Sequence, residues 1–71
     1  MNYFSKNITH LRNKKNRTQQ EIADALGVKL KRYQAWEEGR ALPRLPLLLK
    51  LCELHGKFDL AQLTKADLTV S

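Results

Sequence analysis

The side chains that could do chemistry in this chain are hydrogen-bond donors rather than nucleophiles. Lys29, Lys31, Arg32 and Gln34 crowd into one short segment, and Thr18, Gln19 and Gln20 form a second polar group upstream. Cations and amides at this density recognise anions and hydrogen-bonding edges. Nothing competes with that chemistry. No paired carboxylates, no Ser/His/Asp set and no glycine-rich phosphate loop occur, so the chain reads as a non-enzyme without a cofactor. His10 and His55 sit far apart in sequence, which argues against a metal site. Cys52 is the one cysteine and reads as a small buried apolar residue, with no internal disulfide and nothing that points to secretion.

Charge points the same way. The chain of 71 residues carries a formal charge of +6, and residues 1–44 hold ten Lys/Arg against four Asp/Glu. The remaining residues hold three of each, so the whole surplus sits in the first part. Such asymmetry favours an anionic partner, nucleic acid first and an anionic membrane surface second, with plain solubility as the bland reading. No apolar run approaches a signal h-region or a membrane span, because "LPLLLKLCEL" is interrupted by Pro46, Lys50 and Glu53. A cytoplasmic protein is expected.

The elements that position these donors are helices. Apolar residues recur at helical spacing and no segment alternates with period two. Phe4, Ile8 and Leu11 make the stripe of a first helix. "TQQE" at residues 18–21 is a capping box that opens a second helix through Ile22, Ala23 and Leu26, and Gly27 stops it. A third helix is expected from near Lys29 to Glu38, stopped by Gly39. At about 100° per residue, Tyr33, Trp36 and Glu37 share its inner face. Lys31, Gln34 and Ala35 lie on the outer side, with Arg32 at the flank. Pro46 suits the first turn of a fourth helix, whose inner stripe is Leu48, Leu51, Cys52 and His55. Asp59 caps a short fifth helix with Leu60 and Leu63 inward, and the tail from about Lys65 is expected to fray. One all-α domain over residues 1–71, with its core at about 3–64, is the expected organisation. Leu45, Leu47, Leu49 and Leu54 add more apolar surface than one small core absorbs.

Two helices joined by a short turn containing glycine form a helix-turn-helix unit. Its second helix fits a DNA major groove about 12 Å wide, and the first presents its N-terminal amides to a phosphate.

The stretch from Leu11 to Gly56 resembles the Cro/repressor (XRE) helix-turn-helix family, and the likeness runs from Ile8 to about Leu63. It rests on "LR" at Leu11 and Arg12, "TQQEIA" at 18–23, "LGV" at 26–28, "WEEG" at 36–39 and Pro43. The resemblance implies a compact five-helix fold with helices 2 and 3 as the reading unit. It places Lys29, Leu30, Lys31, Gln34 and Ala35 at positions that face base edges or nearby phosphates. Gln19 falls on a phosphate contact that steadies the recognition helix. Arg40 falls on a phosphate contact and Arg44 near the minor groove; Thr18 and Arg32 complete the expected phosphate set. Arg12 and Glu37 match an ion pair tying helix 1 to helix 3. The chain departs from the family pattern at Leu30 and Ala35, where polar readers are frequent; both can still touch a thymine methyl. It departs again at Arg17, at His55 in place of a leucine, and at Lys57, which looks like an insertion.

The expected function is a sequence-specific DNA-binding transcriptional regulator, most simply a repressor. It would insert helix 3 into the major groove of a palindromic operator as a homodimer on double-stranded DNA, with helices 4–5 and the tail as the dimer contact. An antitoxin that represses its own promoter, with a toxin as partner protein, is one alternative. A helix-turn-helix scaffold for protein–protein contact is the other.

Overall fold

The described residues form five helices: α1 (Phe4–Lys14), α2 (Gln19–Leu26), α3 (Leu30–Glu37), α4 (Leu45–Leu54) and α5 (Leu60–Lys65). The computed structural model describes residues 3–56 and 58–69, and no strand occurs among them. Lys57, read above as an insertion, lies outside the described residues, as do Val70 and Ser71 at the end of the tail.

Each helix boundary has a local cause. The Thr18 hydroxyl accepts from the Glu21 amide at 3.1 Å, and Glu21 Oε1 accepts from the Thr18 amide at 2.8 Å. Both halves of the capping box are thus closed. At the other end of α2, Val28 N–H donates to Ala23 O at 3.0 Å and Gly27 N–H to Asp24 O at 3.2 Å. This is the Schellman arrangement, and it requires the left-handed φ of 73° found at Gly27. A Cβ there would meet no atom within 4 Å, so conformation rather than space selects glycine. The same arrangement closes α3, with Arg40 N–H on Ala35 O at 3.0 Å and Gly39 N–H on Trp36 O at 3.3 Å. α3 is one residue shorter at each end than expected, because Lys29 and Glu38 serve as its caps.

The core is built where the apolar stripes meet. Phe4, Ile8 and Leu11 of α1 are buried with Ile22, Ala23 and Leu26 of α2, Tyr33 and Trp36 of α3, Leu51 and Cys52 of α4, and Leu63 of α5. The Tyr33 and Trp36 rings pack edge to face, with centroids 5.9 Å apart and planes at 74°. Of the surplus leucines, Leu47 and Leu54 pack partly buried on this core. Leu45 and Leu49 remain 56 % and 48 % exposed, joined by Leu42 of the preceding loop at 60 %.

α5 has only six residues and owes its end to α1. The buried Asn7 amide donates to Leu63 O and to Ala66 O, both at 2.7 Å, and its Oδ1 accepts from Leu68 N–H at 2.9 Å. Tyr3 N–H donates to Thr64 O at 2.8 Å. These donors satisfy carbonyls that a helix C-terminus leaves orphaned. Where a frayed tail is expected from about Lys65, residues 66–69 therefore run back along α1, with Lys6 paired to Asp67 at 3.0 Å.

His55 closes α4 and is buried, and neither ring nitrogen has a hydrogen-bond partner among the described residues. Burial, and then the charges of Lys15 and Arg17, push its pKa down to about 4. The unfolded imidazole takes up its proton near pH 6.5 and the folded one only near pH 4. Stability is therefore full above pH 6.5 and falls as the pH is lowered towards 4, by about 3 kcal/mol in all. His55→Leu should flatten that slope in urea titrations at pH 7 and pH 4.5, and should raise stability at pH 7 by removing a buried unpaired N–H.

Candidate nucleic-acid interface

The centre of the site is a carboxylate at the end of α3. Glu37 Oε2 accepts from Arg12 Nε at 2.7 Å and from the Tyr33 hydroxyl. Its Oε1 accepts from Arg12 Nη2 at 3.1 Å and from Gln19 Nε2 at 3.0 Å. The Glu37 side chain is only 6 % exposed and that of Arg12 only 13 %. Burial pushes the Glu37 carboxyl up, but the bonds from Arg12, Tyr33 and Gln19 together outweigh it and hold the group below its ordinary range. Glu37 is thus ionised in the folded chain, with both oxygens fully engaged. Arg12 has one more donor in use, Nη1 on Arg17 O at 2.8 Å, so the same guanidinium also closes the α1–α2 turn.

These contacts bring four of the expected residues into one cluster. Arg12 comes from α1, Gln19 from the first turn of α2, and Gln34 and Glu37 from α3. Gln34 joins through Gln19, its Nε2 donating to Gln19 Oε1 at 3.0 Å. Tyr33 is the member that sequence reasoning missed. It reads as core, and its ring is core, but its hydroxyl lies one turn from Glu37 at the i, i+4 spacing that permits the bond.

The other expected residues surround this cluster without entering it. Lys29 is the α3 N-cap, and Lys31 and Arg32 are exposed on the first turn. Leu30 and Ala35 are half-buried. Arg44 is the exposed N-cap of α4. The side chains of Lys29, Lys31, Arg32 and Arg44 bond to no other described residue, so four cationic heads are free for an outside anion. Arg40 pairs with Glu38 at 2.6 Å, but both are more than half exposed, and such a pair is weak enough for an anion to displace. Thr18 is exposed and spends its oxygen on the cap, and the first-turn backbone N–H groups of Gln19 and Gln20 take no acceptor among the described residues. A helix start of this kind suits a phosphate. Of the basic turn between α1 and α2, Lys15 reaches Leu54 O at 3.3 Å.

Removing one partner of a buried ion pair strands the other, at a cost of about 3–5 kcal/mol. Arg12→Met should therefore destabilise the fold by about that amount in urea unfolding, whereas Arg40→Ala, which breaks an exposed pair, should change stability by less than about 1 kcal/mol.

The transcriptional repressor RstR of the cryptic phage CTXphi, from Vibrio cholerae, is 36 % identical over 53 residues, which are 75 % of this chain and 48 % of RstR. The chain thus spans about half the length of that curated relative. No solved structure matches the chain. The helix-turn-helix family profile matches residues 8–63, from within α1 to within α5. The chain belongs to the helix-turn-helix family, of the XRE type that its sequence resembles.

Proposed function

We propose that the protein is a sequence-specific DNA-binding transcriptional regulator, acting as a repressor in the cytoplasm. The observation that carries this reading is the joint set of free cations on and beside α3, above a buried cluster that locks α3 to α1 and α2. The name of the repressor relative supports it. α3 enters the major groove with Lys29, Lys31 and Gln34 on base edges and Leu30 and Ala35 against apolar groups such as thymine methyls. Thr18, Gln19, Arg32, Arg40 and Arg44 hold the phosphate backbone.

One α3 of eight residues covers few base pairs. A homodimer on a palindromic operator doubles the contact, and the exposed Leu42, Leu45 and Leu49 offer apolar surface to build it. A scaffold for protein contact is the second reading, favoured by the half-buried Leu30 and Ala35 on the presented face.

Selection from a random duplex pool should enrich a palindrome with half-site centres about 34 Å apart, bound by two chains per duplex in sedimentation. Affinity should fall about a thousandfold between 50 and 200 mM salt as counterions are released. Lys31→Ala should weaken binding by about tenfold. Indifference to salt and to Lys31→Ala would favour the scaffold.

A further inference from the structure

The hydrogen bonds around Glu37 have a direction. An ionised carboxylate only accepts, so the Gln19 amide must turn its Nε2 toward Glu37 Oε1, as it does at 3.0 Å. That orientation leaves Gln19 Oε1 on the far side, where only a donor can meet it. The donor is Gln34 Nε2 at 3.0 Å. The Gln34 amide is therefore oriented too, with its nitrogen anchored toward Gln19. Its Oε1 and its second N–H bond to no other described residue. Arg12 stands at the head of the chain and engages the carboxylate with two nitrogens.

We infer that the Arg12–Glu37 pair, acting through Gln19, holds the Gln34 amide in one orientation, and that Gln34 so held selects adenine in the major groove. The inference rests on the DNA-binding function proposed above and deepens it. Among base edges in that groove, adenine sets a donor, N6–H, beside an acceptor, N7. The free acceptor and remaining donor of Gln34 complement that pair. Guanine offers two acceptors there, cytosine a single donor, and thymine an acceptor beside a methyl group. Arg12, Glu37 and Gln19 are positioning residues in this scheme, and Gln34 is the group that touches the base.

The test is duplex selection with the full chain and four variants, scoring base preference at each position rather than affinity alone. The wild-type site should carry an adenine in each half-site whose preference drops roughly tenfold or more in Gln34→Ala, with neighbouring positions unchanged. Gln34→Glu should move that preference to cytosine, whose N4 amino group donates to a carboxylate. Glu37→Gln removes the obligate acceptor, so the amides can turn over. It should relax the adenine position selectively, whereas a merely structural role would weaken all positions together. Gln19→Met breaks the relay without stranding a charge. Its lost phosphate contact should weaken all positions evenly, and on top of that the adenine preference should fall relative to its neighbours even if Glu37→Gln unfolds. A wild-type site whose Gln34-sensitive position is not adenine overturns the inference, as does an adenine preference that survives both Glu37→Gln and Gln19→Met. A wild-type protein that enriches no site overturns the proposed function itself, and this inference with it.

Discussion

The seating of α3 against α1 and α2 turns on one buried carboxylate. α3 has eight residues, no side-chain N-cap and no acidic residue in its first turn. A helix of that length is marginal on its own in water, so its place must come from tertiary contacts. Tyr33 and Trp36 supply the apolar anchor, but apolar contact is not directional. Glu37 adds direction, because its four donors arrive from three helices at fixed atoms. Desolvating such a pair costs nearly as much as its attraction returns, so its effect is on where α3 sits more than on how stable the fold is.

The rest of the fold serves the same end. Left-handed glycines close α2 and α3 and set the direction of the turn between them and of the exit toward α4. On the opposite side of α1, Asn7 fastens α5 and residues 66–69 with three hydrogen bonds. α1 is thereby held from two sides, and Arg12 is carried on it. Among the described residues the side chains of Lys29, Lys31, Arg32 and Arg44 make no internal bond, so what holds this cationic surface in place is the bracing of the helices beneath it.

What could be read from residue order was whatever has a local cause. The capping box at Thr18, the stops at Gly27 and Gly39, the α1 stripe and the inward face of Glu37 all follow from neighbours within one or two turns. The docking of the tail did not, because it hangs on Asn7 meeting Leu63, Ala66 and Leu68 across 56 to 61 residues. Periodicity puts Asn7 near the apolar stripe without saying what its amide meets. The Tyr33 hydroxyl was hidden for a related reason, since an aromatic on the core face reads as apolar. The leucines divide on geometry alone. Leu47 and Leu54 reach the core and Leu45 and Leu49 do not, while Leu42 lies in a loop outside any periodic stripe.

A double variant tests the dependence of the surface on the carboxylate most directly. Arg12→Met combined with Glu37→Leu replaces the buried pair with apolar groups, a change that is commonly neutral or stabilising where either single change is not. Urea unfolding and base preference on the selected duplex would be measured on the same preparation. The expected result is recovered stability with lost discrimination at the Gln34-sensitive position. Recovered stability with full wild-type discrimination would contradict the central claim, for α3 would then be positioned by apolar packing alone.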